Sequence, residues 1–117
     1  MKKIKINVFE QIAGSAAVSS EDGEELFNKI VKGLEEKDVL LILDWTNITL
    51  ITSTFLNTSI GQLYSRYDSS FLRERLKIEN LTKEDMELLK RVIERAKEYF
   101  KNKEKIDSSI KETLGDE

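Results

Sequence analysis

The chain has 117 residues, 19 basic against 22 acidic side chains, a formal net charge of −3, and no cysteine, histidine or proline. That length suits one domain with a single core. The composition excludes disulfides, thiolate metal sites, cysteine nucleophiles and a Ser-His-Asp triad, and the mixed Lys/Glu surface lacks the basic footprint of a nucleic-acid binder.

Residues Lys3–Phe9 alternate Lys3, Lys5, Asn7 against Ile4, Ile6, Val8, the period-2 mark of a half-buried strand. The charged start MKKIKINVFE therefore reads as a strand and not as a signal peptide. Gly14 breaks the segment, and Ser15–Val18 is expected to return as the second strand of a hairpin. Ser19-Ser20-Glu21-Asp22 sets a capping hydroxyl and acids at a helix start. Leu26, Phe27, Ile30, Val31 and Leu34 follow at helical spacing, with Gly33 permitting close packing on a sheet.

Val39–Leu43 is apolar on both faces, the pattern of a central strand covered by helices. A helix is expected from about Thr54 to Tyr67, burying Leu56, Ile60, Leu63 and Tyr67. Arg75–Glu79 alternates again, with Leu76 and Ile78 inward. Asn80 marks a tight connection into the clearest helix of the chain. Thr82-Lys83-Glu84-Asp85 is a capping box with Asp in the usual Glu position, and Leu81 with Met86 can form a hydrophobic staple. Met86, Leu89, Ile93, Ala96 and Phe100 line one helix face. Residues 103–117 read as a polar tail or a loose helical extension of a domain covering 1–102. No run approaches the roughly 20 apolar residues of a membrane span, so a cytoplasmic protein without membrane or nucleic-acid partners is expected.

The order β-(β)-α-β-α-β-α predicts an α/β fold, an open sheet covered by helices, with ligand chemistry at the carboxyl ends of the strands. Asp44 and the hydroxyl cluster Thr52-Ser53-Thr54 both fall there. The first N–H groups of a helix lack internal partners, so a phosphate on Ser53 or Thr54 would meet those donors or present about two charges to a docked protein. The plain alternative is that the cluster caps the helix, with Ser53 as the best N-cap. Asp44 could position a phosphate donor or simply end the strand with an Asx turn. A lone carboxylate makes a weak metal site, no glycine-rich phosphate loop is present, and neither metal nor cofactor is expected. Trp45 is either a buried anchor or an exposed hot spot.

The segment LDWTNITLITSTFL (Leu43–Leu56) resembles the central motif of STAS domains, the fold of bacterial anti-sigma factor antagonists, in which a strand ending in Asp leads into D-S-[ST]-G-L at a helix start. The similarity in element order extends over about residues 3–102. It implies a STAS-like open mixed sheet of about four strands with helices packed on it. Matched by position, Ser53 falls on the phosphorylated serine, Thr54 on the residue after it and Leu56 on the leucine. Thr52 stands where the antagonists carry Asp and Phe55 where they carry Gly. The D-W strand end and the hydroxyl-rich segment ending in Phe are more similar to the STAS-like branch of uncharacterised function.

The resemblance implies a non-enzymatic regulatory module. Its partner would be a protein, an anti-sigma-type ATPase or a serine kinase, contacted through Asp44, Trp45, Thr52 and Phe55. Ser53 and Thr54 are its phosphorylation candidates. Two alternatives remain open: a nucleotide- or anion-binding module using the same helix N-terminus, and a structural subunit of a larger assembly. No carboxylate pair at a strand end suggests acid–base catalysis.

Overall fold

In chain order the elements are β1 (Lys2–Asn7), α1 (Val8–Ile12), β2 (Ala16–Ala17), α2 (Ser20–Leu34), β3 (Val39–Asp44), β4 (Leu50–Ile51), α3 (Ser53–Ser59), a 3-10 turn (Gly61–Ser65), α4 (Ser69–Arg75), β5 (Leu76–Glu79) and α5 (Lys83–Gly115). The computed structural model describes the backbone of residues 1–115 and the side chains of residues 1–103. The side chains of most of the 103–117 tail therefore lie outside the described residues.

β3 is the centre of a three-stranded sheet in the order β1-β3-β5, and both pairings are parallel. The register sets Ile4 and Ile6 beside Leu41 and Leu43, and these beside Leu76 and Ile78. That face is the core face. Successive strands that neighbour one another in space, joined by right-handed crossovers, put their helices on the same side. Accordingly α2 and α3 pack against each other, and α5 closes over α3 and the 3-10 turn. The apolar stripe of α2 is buried, with Leu26 and Ile30 fully enclosed, as are Leu56, Ile60 and Leu63 after β4. Each such side chain contributes on the order of 1.5–3 kcal/mol of burial free energy.

The other face carries Lys3, Lys5, Asn7, Leu40, Ile42, Asp44, Lys77 and Glu79. Helix cover on both faces of β3 was the expectation from its apolar run, and the structure corrects it. Ile42 sits between Lys5 and Lys77 in the register, where the aliphatic stems of two lysines can shield an apolar residue without a helix.

The α/β class holds, and the strands divide into two ladders, every pair parallel. The expected hairpin does not form. Asn7 leaves β1 by capping α1, its Oδ1 accepting from Glu10 N–H at 2.9 Å. Ala13, in the left-handed region at φ 56°, ends that turn. The detour carries β2 away from β1, and β2 instead pairs with β4, Ala16 with Leu50 and Ala17 with Ile51. The helix expected from Thr54 to Tyr67 breaks into α3 and the 3-10 turn. A further helix, α4, precedes β5 where no element was expected.

Two glycines set helix spacing. A Cβ on Gly33 would lie 3.0 Å from Leu41 Cδ1, so α2 rests closely on β3 at this point. A Cβ on Gly23 would fall 1.9 Å from Thr58 Oγ1 and 3.0 Å from Phe55 O, so α2 and α3 approach more closely than any side chain there allows. Just past the carboxyl end of β5, Asp85 N–H donates to Thr82 Oγ1 at 3.1 Å, one half of the capping box. No helix among the described residues is long and apolar enough to cross a membrane.

Candidate functional site

The β2–β4 ladder determines how the site is built. Its two strands run in parallel, and each feeds a helix directly, β2 into α2 and β4 into α3. Thr52 continues the ladder by donating its N–H to Ala17 O at 3.1 Å and its hydroxyl to Val18 O at 2.9 Å. The N-termini of α2 and α3 are thus laced side by side, pointing the same way. Ser19 caps the first, accepting from Asp22 N–H at 3.1 Å.

Thr52 caps the second. Its backbone is still extended, at φ −108° and ψ 156°, and its Oγ1 accepts from Phe55 N–H at 3.2 Å. This corrects the assignment of Ser53 as N-cap: Ser53 is the first helical residue, because the strand-like geometry of β4 persists through Thr52. The consequence is chemical. Ser53 and Thr54 are exposed, and neither hydroxyl is hydrogen-bonded among the described residues. Of the three hydroxyls, one is bound on both sides and two face solvent.

Asp44 ends the central strand, level with Asn7 on β1 and Glu79 on β5. Its Oδ1 accepts from Thr46 Oγ1 at 2.6 Å, Thr46 N–H at 3.0 Å and Asn80 Nδ2 at 2.8 Å. Its Oδ2 lies 3.5 Å from Lys5 Nζ. The Thr46 hydroxyl, then Asn80, hold the carboxyl well below the usual carboxylate range, and Lys5 adds to this against the opposing cost of burial. Asn80 reaches it from a left-handed backbone, φ 62°, a conformation asparagine tolerates. Asp44 thereby ties together the carboxyl ends of all three strands. The sequence marked Asn80 as a tight connection but gave no sign of this bond, which spans 36 positions.

Trp45 is 2 % exposed and Phe55 0 % exposed, and they meet edge to face with centroids 6.1 Å apart. The expectation that Asp44, Trp45 and Phe55 contact a partner is therefore corrected. Two are core residues beneath the site, and the third spends its carboxylate on internal bonds. Thr52, half-buried, is committed to its cap and to Val18. The indole N–H of Trp45 is buried with no acceptor among the described residues. Phe55 fills the space under the start of α3, so the bulk of the side chain at this position projects inward and leaves the surface of the helix start open.

What the surface does present is Ser53, Thr54, Asn57 and the loop residues Thr46, Asn47 and Thr49, together with Leu50, 55 % exposed. Leu50 was not singled out from sequence. Its signal was the Leu50-Ile51 pair in a strand, where one of two adjacent apolar residues must point outward. Among the described residues no group of three or more His, Cys, Asp or Glu side chains is placed to hold a metal ion.

A family model described as a STAS-like domain of unknown function (DUF4325) matches residues 22–86, a stretch that runs from α2 through the Asp44 tie and the hydroxyl cluster into the start of α5. Neither the curated proteins nor the solved structures provide a match.

Proposed function

Since this chain belongs to the STAS-like family of unknown function, we propose that it is a non-enzymatic, cytoplasmic regulatory module whose α3 N-terminus docks a partner protein and is switched by phosphorylation of Ser53. The observation that carries the reading is the division of labour within the hydroxyl cluster. Thr52 takes the capping role, which leaves Ser53 and Thr54 exposed and uncommitted. A kinase can reach them, and modification would break no internal bond.

A phosphate on Ser53 would add about two negative charges three residues from the exposed Leu50, at the start of a helix packed on α2, whose own first turn carries Glu21 and Asp22. Charge of that size at the centre of a small interface weakens an apolar contact and strengthens a basic one, which is how the switch would choose between partners. The partner class is an anti-sigma-type ATPase or a serine kinase, as in the antagonists whose motif the segment resembles.

The test is intact-mass analysis of protein purified from its own host, with a pull-down comparing wild type, Ser53→Ala, Ser53→Asp and Leu50→Asp. Capture by wild type and Ser53→Ala, lost in Ser53→Asp and Leu50→Asp, is expected. Equal recovery of one partner by all four, with no phosphate on the chain, would sink the proposal.

A further inference from the structure

At the opposite end of α3 from Ser53, four elements leave a cleft of about 280 Å³ between them. Its floor is apolar: Ile60 after α3, Leu72 on α4, Leu76 at the start of β5 and Ile93 on α5. Its rim is not. Arg73 of α4, Lys97 of α5 and the phenol of Tyr64 from the 3-10 turn line it, and among the described residues no acidic side chain does. We infer that this cleft is a binding site for a compact amphipathic monoanion, a carboxylate carried on a single ring or a short branched aliphatic body.

Three observations restrict the ligand. The volume lies just under the roughly 300–1,000 Å³ of ordinary small-molecule sites, which suits a body of one ring. Arg73 and Lys97 are both exposed and take part in no ion pair among the described residues, where the salt bridges are Lys2–Glu36, Lys5–Asp44 and Lys77–Glu79. Two uncompensated cations over an apolar floor attract an anion and repel the ammonium of a free amino acid. A bare phosphate would satisfy the cations and waste the floor.

Tyr64 supplies the orientation. Lys97 Nζ lies 5.7 Å from its ring centroid, and Arg73 is near enough to act on the phenol electrostatically. A phenol is protonated at neutral pH, and partial burial pushes this one further up despite Arg73, so its O–H is free to donate to a bound anion. A carboxylate at the rim would thus meet two cations and one neutral O–H donor while its body rests on Leu72 and Ile93. The cleft is distinct from the surface around Ser53 and Leu50, since α3 separates Ser53 at one end from Ile60 at the other.

The experiment is an amide-resolved NMR titration of the full chain with phenylacetate, its neutral isostere phenylacetamide, and inorganic phosphate. Phenylacetate is expected to produce saturating shifts concentrated at Tyr64, Leu72, Arg73, Ile93 and Lys97, with phenylacetamide weaker by about tenfold, the size of one charge-assisted pairing. The double variant Arg73→Gln/Lys97→Gln should lose that preference at unchanged melting temperature. The single variant Lys97→Gln, on an exposed helix face, makes the same comparison if the double variant folds poorly. Equal shifts from acid and amide, shifts that never saturate, or the same pattern from phosphate alone would each overturn the assignment.

Discussion

Gly23→Ala tests the packing on which the surface around Ser53 depends. Gly23 lies in the first part of α2, where alanine would ordinarily raise helix stability by about 1 kcal/mol. Here the added Cβ would sit 1.9 Å from Thr58 Oγ1, and α3 would have to retreat by more than an ångström to restore even a tight contact of 3.0 Å. The Thr58 hydroxyl is held in place by donation to Thr54 O at 3.0 Å and Phe55 O at 3.2 Å. Overpacking of this kind costs about 1–3 kcal/mol, and since the nearest neighbours include backbone, the upper part of that range applies. The clash outweighs the propensity gain, and Gly23→Ala should destabilise by about 1–2 kcal/mol net. Thr58→Ala removes the offending oxygen and leaves contacts of 3.0 and 3.1 Å, which small shifts absorb. The double variant should therefore be close to wild type, giving a coupling of about 1–3 kcal/mol in a double-mutant cycle. Urea unfolding of the four proteins measures it. If Gly23→Ala is stabilising, or if the two changes simply add, α2 and α3 do not meet as described.

Other consequences are equally direct. Thr52→Ala loses both the cap and the bond to Val18 O and should cost about 1–2 kcal/mol, while Ser53→Ala should stay within about 0.5 kcal/mol; the reverse order in thermal unfolding would return the cap to Ser53. Asp44→Asn removes charge assistance from three hydrogen bonds and should cost about 1–3 kcal/mol at neutral pH. Because the folded carboxyl titrates below its unfolded value of 3.8, its stabilisation is fully present above that pH and is lost as pH falls through and beneath it. The gap between wild type and Asp44→Asn in urea midpoint should accordingly narrow only below about pH 4, and a gap independent of pH would refute the tie. Trp45→Phe, which removes a buried N–H that has no acceptor, should cost far less than the roughly 3–5 kcal/mol of Trp45→Ala, as denaturation followed by circular dichroism would reveal.

The elements that the sequence determined by itself are those whose periodicity is strong and local. The stripe of α2, the apolar run of β3, the alternation of β5 and the capping box of α5 all state their own geometry, because each residue's burial follows from the repeat of its own element. The motif around Ser53 was legible for the same reason, as a strand end followed by a helix start. What the tertiary structure decided is everything that depends on a partner distant in the chain. β2 could not declare for β4 over β1, because two-residue strands carry no register information. The choice of Thr52 as cap depended on Val18, 34 positions earlier, and the fixing of Asp44 on Asn80, 36 positions later. Trp45, for which the sequence leaves both a buried and an exposed role open, and Phe55, which the motif places at a binding surface, are both buried and pack edge to face. Ser53, Thr54 and Leu50 are left in solvent.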